Sequence, residues 1–514
     1  MTQMLGLDLG TTGVKALAIN NQGEVLASHT EEYKLHHPQQ GWSEQSADDW
    51  WEATVKAIKK ILKKESVEGK NINGLAFSGQ MHGSVFLDDE GEVIRNPILW
   101  NDTRTTKQCR KIEDKIGKER LLELVGNPAL EGFTAPKVLW LRENEPENYE
   151  KLDTLLLPKD YIVYRLTGRR VTENSDAAGT ILYDVENQEW SKEVCESLGI
   201  DRNLLPEVLD SVDVVDSIKD ELAEEVGLPK DTPVVAGGAD NACSAVGNGI
   251  TEEGLFLASI GSSGVVLAHS DHMEIDFGAR VHSFNHSVPD KWYLMGVMLN
   301  AGLSYRWFRD TFSSLEVQTG EFTNRDPYEL LNSEAAQAPP GSGGLIYLPY
   351  LNGERTPHKD ANARGTFFGF SGTHEKRHFV RSVLEGVTFG LRDSFELIKD
   401  MGVEPKQIRA TGGGAKSALW RGIQADIFGQ EVVTTAVDEG PAYGAALLAG
   451  TGSGVFESVE NAVDECVETN SIQSPRPENE RIYEDLYPVY RSLYTSLAED
   501  YEKLAEFRRK WEFE

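Results

Sequence analysis

The chain has 514 residues, enough for two large domains, with 39% hydrophobic and 9% aromatic side chains to fill their cores. Its 51 Lys and Arg against 83 Asp and Glu give a net charge of −32. That excess argues against nucleic acid or an anionic membrane surface as the main partner, since both are polyanions, but not against a nucleotide held by backbone amides and Mg2+.

Leu5–Leu9, Val14–Ile19 and Val25–Tyr33 read as strands, with Asn20-Asn21-Gln22-Gly23 as a turn. The first two flank Gly10-Thr11-Thr12-Gly13. Ser46-Ala47-Asp48-Asp49 reads as a capping box that opens a helix through Trp50, Trp51, Val55, Ile58 and Leu62. Ile72–Ser78 is a buried strand ending in Gly79-Gln80-Met81-His82-Gly83. Val85–Leu87 follows as another strand, turned by Asp88-Asp89-Glu90-Gly91, so the first third alternates as an α/β domain does. Residues 105–210 read as mainly helical. A strand Val234–Ala236 leads into Gly237-Gly238-Ala239-Asp240-Asn241, and Ile260-Gly261-Ser262-Ser263-Gly264-Val265 repeats the first hairpin phrase. Residues 318–342 read as a polar surface segment, and helices are expected over 374–401, 416–428 and 441–450. The last helix, about 480–513, carries Tyr483, Leu486, Tyr490, Leu493 and Leu497 on one packing face. Cys109, Cys195, Cys243 and Cys466 form no Cys-x-x-Cys pair, so reduced thiols in a cytoplasmic protein are expected, and His36-His37 reads as a loop. No leader and no apolar run near ~18 residues is visible.

Two hairpins with Gly-hydroxyl-hydroxyl-Gly turns can hold a polyphosphate from both sides. Their glycines are expected to supply the positive φ of a tight turn, and their amides and hydroxyls are anion donors. The two differ in that Asp8 of the first becomes Ser259 in the second, so only the first offers a carboxylate for hydrated Mg2+. Asp240 follows a strand and a turn of small residues, where a carboxylate can take a proton from an attacking alcohol; the alternative is a helix cap. Met81 and His82 lie beyond a strand end, where α/β folds bind ligands; the alternative is a solvated loop. Thr411-Gly412-Gly413-Gly414-Ala415-Lys416-Ser417 is neither a Walker loop nor a dinucleotide fingerprint, but its glycines let a flat ring or ribose approach the backbone. The small residues after Glu439 suit tight packing between domains.

Taken in order, these phrases resemble the FGGY carbohydrate kinases of the actin/hexokinase/Hsp70-like ATPase superfamily. The likeness runs from Asp8-Leu9-Gly10-Thr11-Thr12-Gly13 through 132–144 (with Pro136-Lys137 and Trp140-Leu141) and Gly237-Gly238-Ala239-Asp240-Asn241. It continues through the second hairpin and Thr411–Ala415 to Gly440-Pro441-Ala442-Tyr443-Gly444-Ala445-Ala446. Within the family, Ser78-Gly79-Gln80-Met81-His82-Gly83 with Leu99-Trp100-Asn101-Asp102 is most similar to members acting on D-xylulose. Glycerol-specific members carry an Arg-Glu-type phrase there, and gluconate-specific ones follow Met-His with Ser. The second hairpin departs by reading Gly-Ser-Ser where Gly-Thr-Ser is common, and 365–385 matches the second family signature less cleanly, with Phe370 in place of a smaller aliphatic.

The resemblance implies two RNase H-like domains around a central cleft, 1–245 mainly for the sugar and 246–514 for ATP. It implies Asp240 as general base, Asp8 near Mg2+ through water, and Met81, His82 and Asn241 at the sugar. Gly10, Thr11, Thr12, Gly261, Ser262 and Ser263 would take the phosphates. Gly412, Gly413, Gly414, Ala415 and Ser417 would take the nucleoside, near Trp420. ATP and a small sugar are then the partners, with homodimers common among resembling proteins. The alternatives are a kinase for ribulose, glycerol or gluconate, and a non-catalytic ATP-binding regulator on the same fold.

Overall fold

The structure is a computed structural model that describes residues 2–511 and 513. It divides into two compact units that are discontinuous in sequence: 1–252 with 269–293 and 439–468, and 253–268 with 294–438 and 469–514. A single cut near residue 245 does not describe this. The chain returns to the first unit at Glu439, and the helix Gly440–Gly452 lies against that unit's own sheet.

The first unit's sheet contains β1 (Gln3–Leu9), β2 (Gly13–Asn20), β3 (Val25–Glu32), β4 (Ile72–Gly79), β5 (Val214–Ser217) and β6 (Pro233–Ala239), in the order β5-β6-β4-β1-β2-β3. β1 pairs antiparallel with β2 and parallel with β4; β6 runs parallel to β4, and β5 closes the edge antiparallel. Leu5, Leu7 and Leu9 on β1 are fully buried with Val14, Ala16 and Ala18 on β2. The helix Ala47–Ile61 covers them with Trp50, Ile58 and Ile61, and Ser46 Oγ caps it by accepting the Asp49 amide at 3.3 Å.

The second unit repeats the plan. β7 (Leu255–Ile260), β8 (Gly264–Ser270), β9 (Trp292–Met298), β10 (Gln407–Gly412), β11 (Val432–Thr435) and β12 (Thr469–Gln473) follow the order β9-β8-β7-β10-β11-β12. Again a hairpin is extended by two parallel strands and closed by an antiparallel edge. This is the RNase H-like topology, present twice, and the hairpin phrases occupy equivalent places. Asp8 pairs with Ser78 on β4, and Ser259 pairs with Thr411 on β10.

The turns themselves differ from expectation. None of Gly10, Gly13, Gly261 and Gly264 takes a positive φ. Gly13 is needed for close approach instead: a Cβ there would lie 2.5 Å from the Glu31 carbonyl oxygen. Gly10 and Gly261 face open space, with nothing nearer than 3.4 Å and 3.7 Å to an added Cβ, which leaves the turn backbone accessible. The second turn is also one residue shorter, closing between Ile260 and Gly264 where the first closes between Leu9 and Val14.

Three further features differ or sharpen. Residues 318–342 are largely helical, in Ser314–Thr323 and Pro327–Ala335, because Asp326 caps the second helix through the Tyr328 amide and Pro327 starts it. Residues 105–210 carry short strands such as Val171–Glu173 among their helices. The small residues of Gly440–Gly452 serve packing inside the first unit: a Cβ on Gly6 would meet the Ala442 carbonyl oxygen at 2.0 Å, and one on Gly444 the Cys243 oxygen at 1.9 Å. In the second unit the C-terminal helix, Pro477–Lys510, packs with Tyr483, Tyr490 and Leu493 buried, and Tyr483 OH donates to Glu385 Oε1 at 2.6 Å. All four cysteines are buried and free. No helix among the described residues is long and apolar enough to cross a membrane.

Candidate active site

The first unit gathers Asp8, Asp240, Asn241 and Met81 at the ends of neighbouring strands. Asp8 sits near the end of β1, and Ser78 Oγ on β4 donates to its Oδ1 at 2.9 Å. Burial raises the Asp8 carboxyl above its ordinary value, against the Ser78 hydrogen bond and the Lys15 charge, which lower it. Asp240 is the first residue of the helix Asp240–Gly247, not its cap; Ala239 holds the cap position. Its Oδ1 accepts the Asn241 amide at 2.7 Å and Asn241 Nδ2 at 3.0 Å. Desolvation, with the Asp8 charge second, pushes Asp240 up to about 7. A carboxylate poised there can take a proton near neutral pH.

Asn241 Nδ2 also points at Met81 Sδ, 3.6 Å away, and Tyr293 OH approaches the same sulfur at 3.8 Å. These contacts join segments 160 and 212 residues apart in sequence. His82 takes φ 68°, unusual for a non-glycine residue, inside a three-residue turn closed by Gly83 N–H donating to Met81 C=O at 2.8 Å. The surroundings hold it there. His82 Nδ1 is 2.6 Å from the Gly179 carbonyl oxygen, and its own carbonyl accepts Lys137 Nζ at 2.7 Å and Thr134 Oγ1 at 3.0 Å. Its ring packs on Phe133 at 4.4 Å between centroids, with Phe284 next at 6.2 Å. Burial drives the Lys137 ammonium down to about 7. The hairpin turn 10–13 is tied in by side chains: Trp100 Nε1 donates to Thr11 Oγ1 at 3.0 Å, and Tyr33 OH donates to the Gly10 carbonyl. Thr12 is exposed.

The second unit holds a cavity of about 560 Å³. Gly261, Ser262, Gly413, Gly414 and Ser417, all expected at the nucleotide, line it, and Trp420 lies at its wall. Trp420 is buried, with Nε1 donating to Thr388 Oγ1 at 3.0 Å, so it shapes the cavity from behind. Gly412 and Ala415 face a smaller neighbouring cavity of about 220 Å³, and Ser263 lines neither. The Ser417 hydroxyl caps the helix Ala418–Phe428 by accepting the Trp420 amide at 3.2 Å. The glycines are steric requirements: a Cβ on Gly302 would stand 2.3 Å from the Gly261 carbonyl oxygen, and one on Gly414 would stand 2.7 Å from Ile260 side-chain carbons.

Sequence reasoning missed the opposite wall. Tyr305 and Arg306 come from the helix Gly302–Phe312, and Asp326, Tyr328 and Asn332 come from or next to the helix Pro327–Ala335. Arg306 Nη2 reaches Ser262 Oγ at 3.4 Å, and Tyr305 OH donates to Asn332 Oδ1 at 2.9 Å. An arginine beside a turn of exposed amides and hydroxyls suits phosphate, and the aromatic rings suit a flat base. The Asp326-Pro327 pair was the available signal for this helix. No group of three or more side chains that could hold a metal occurs among the described residues; Asp8 and Asp240 are the two carboxylates here, near enough for the Asp8 charge to act on Asp240.

Comparison with known proteins accords with this geometry. Residues 3–247 match the N-terminal domain and residues 256–453 the C-terminal domain of the FGGY family of carbohydrate kinases. A xylulose kinase of Bacillus subtilis is 42% identical over 509 residues, covering 99% of this chain and 100% of that protein. A gluconokinase of the same organism is more distant, 30% identical over 508 residues, covering 98% of each chain. The crystal structure of ligand-bound xylulose kinase from Lactobacillus acidophilus superposes with a TM-score of 0.91 at 28% identity, covering 98% of this chain and 100% of that one. With both domain models matched in order, the RNase H-like sheet present twice and full-length relatives, the chain belongs to the FGGY family of carbohydrate kinases.

Proposed function

We propose that the protein phosphorylates D-xylulose with ATP, giving D-xylulose 5-phosphate and ADP. The observation that carries this is Asp240 beside Asn241, with Asn241 turned to Met81 at 3.6 Å: a proton acceptor and a sugar-contacting pair meet in one place. The full-length identity to xylulose kinases, above that to the gluconokinase, supports the choice of sugar.

The sugar lies against Met81, His82 and Asn241 with its terminal hydroxyl at Asp240 Oδ2, the oxygen that the Asn241 bonds leave over. Asp240 takes the hydroxyl proton as that oxygen attacks the γ-phosphorus; the bond from the γ-phosphorus to the β-phosphate oxygen breaks, and ADP leaves. The nucleoside occupies the cavity walled by Tyr305, Tyr328 and Gly413–Gly414, with Arg306 and Ser262 toward its phosphates. Asp8 fits an outer-shell Mg2+ contact. Ser78 holds its Oδ1, its Oδ2 lies on the side of the Gly10 turn, and a site with one or two carboxylates suits an ion that keeps most of its waters. When bound, Mg2+ supplies charge neutralisation across the transferred phosphate.

Phosphorus NMR of the product tests the reading. A phosphomonoester resonance coupled to a CH2 group, formed only with D-xylulose, ATP and enzyme together, is expected. ATP hydrolysis at full speed without sugar would favour the regulator alternative.

A further inference from the structure

The peptide that leads into Asp240 is held from behind by a buried charged cluster. Lys159 Nζ lies 2.6 Å from Asp160 Oδ1, 3.3 Å from Glu173 Oε1 and 3.4 Å from Asp176 Oδ2, and all four side chains are buried. Charges are rarely buried in this way unless tightly paired. Glu173 spends its remaining lone pairs nearby: it accepts the Ser175 amide, the Asp176 amide and Ser211 Oγ, each at 2.8 Å. It also accepts Ser175 Oγ at 2.8 Å.

With its single proton given to Glu173, the Ser175 hydroxyl is an acceptor for anything else. What it accepts is the Ala239 amide, at 2.9 Å. Ala239 immediately precedes Asp240. Here β6 is irregular against β4, shifting register between Val235 and Gly238, and Ala239 N–H turns to a side chain. Gly237 and Gly238 allow the bend: a Cβ on Gly237 would lie 1.9 Å from the Phe77 oxygen, and one on Gly238 would lie 2.2 Å from Ser287 Oγ. The carboxylate of Glu173, held by Lys159, therefore fixes which way the Ser175 hydroxyl points, and the hydroxyl fixes the peptide that carries Asp240.

We propose that Ser175, oriented by the buried Lys159–Glu173 pair, is a positioning residue that sets the Asp240 carboxylate against the sugar hydroxyl. It rests on Asp240 being the base. Removing the hydroxyl leaves the Ala239 amide buried without its acceptor and frees the peptide to shift. A displacement near 1 Å at a reacting group costs about 10²-fold.

The test measures kcat and both KM values for Ser175→Ala, for Ser175→Cys, and for Ser211→Ala. Cysteine is nearly isosteric with serine and a weak acceptor, so it keeps the packing if alanine disturbs folding. Ser211→Ala takes a hydrogen bond from the same Glu173 carboxylate but leaves Ala239 alone. The Ser175 variants should lose kcat by about 10–100-fold with the KM for ATP within about twofold, whereas Ser211→Ala should lower the unfolding temperature and keep kcat within about twofold. In an Asp240→Asn background, Ser175→Ala should cost no further activity, because the residue it positions is gone. A folded Ser175→Ala or Ser175→Cys enzyme with wild-type kcat, or an equal loss in the Asp240→Asn background, would overturn the proposal. If Asp240→Asn itself keeps normal turnover, the base assignment fails, which is a separate result.

Discussion

Replacing Asp240 with Asn should make the protein more stable as it makes it inactive. Burial and the nearby Asp8 charge raise the Asp240 carboxyl to about 7 from an ordinary 3.8. Between those values the folded protein holds a proton that the unfolded chain has released, so wild-type stability falls as pH rises through this window. The interval, at about 1.4 kcal/mol per pH unit, sets a ceiling of roughly 4 kcal/mol on the destabilisation at full ionisation. Residual solvent contact at the half-buried Asp240 screens part of it. Asn carries no charge and has no such slope. Urea unfolding of wild type and Asp240→Asn, without nucleotide or Mg2+, should give similar midpoints near pH 4. A gap of some 2–4 kcal/mol in favour of Asn should open by pH 8. Turnover should meanwhile fall by about 10²–10⁴-fold at pH 7–8, with the KM for ATP little changed. Parallel pH profiles for the two proteins would refute the reasoning that Asp240 is a desolvated base raised further by the Asp8 charge.

Other consequences can be checked with the same assays. The log of kcat/KM for the sugar should rise with unit slope below about pH 7 and level above it, because Asp240 acts when deprotonated; a flat profile from pH 5 to 8 would count against it. Asp8→Asn should raise the Mg2+ concentration for half-maximal activity about tenfold or more while leaving the sugar KM near wild type, and an unchanged Mg2+ titration would remove Asp8 from the metal. Gly302→Ala should raise the KM for ATP several-fold without moving the sugar KM, since its Cβ would press on the Gly261 carbonyl oxygen at 2.3 Å and shift the turn by an overpacking cost of about 1–3 kcal/mol. An unaffected ATP KM would place the nucleotide elsewhere.

The hairpins, the strand before Asp240 and the glycine loop after β10 were legible because apolar runs and glycine turns mark strand ends directly. The reason given for the hairpin glycines was not correct: Gly13 accommodates the neighbouring strand and Gly10 leaves the turn open, and neither needs positive φ. The approach of Asn241 to Met81 spans 160 residues, and no local pattern encodes it. Residues 318–342 read as surface because their composition is polar, and most are exposed or half-buried, but that composition did not show that Asp326 and Pro327 start a helix lining the second unit's cavity. Lys159, Asp160, Glu173 and Asp176 were invisible for the opposite reason. Charged residues read as solvated in sequence, and only the fold reveals that these three carboxylates gather around one lysine in the interior. The return of 439–468 to the first unit was hidden as well, since its small residues signal close packing without saying against what.

The central claim is the pairing of this site with D-xylulose, and the most direct measurement is ADP release from Mg2+-ATP across a panel of D-xylulose, L-xylulose, D-ribulose, glycerol and gluconate. The account predicts a kcat/KM for D-xylulose that exceeds each of the others by at least about tenfold, a difference of about 1.4 kcal/mol in transition-state binding. A preference for gluconate or glycerol would contradict it, leaving the family and the fold intact while removing the meaning assigned to Met81, His82 and Asn241.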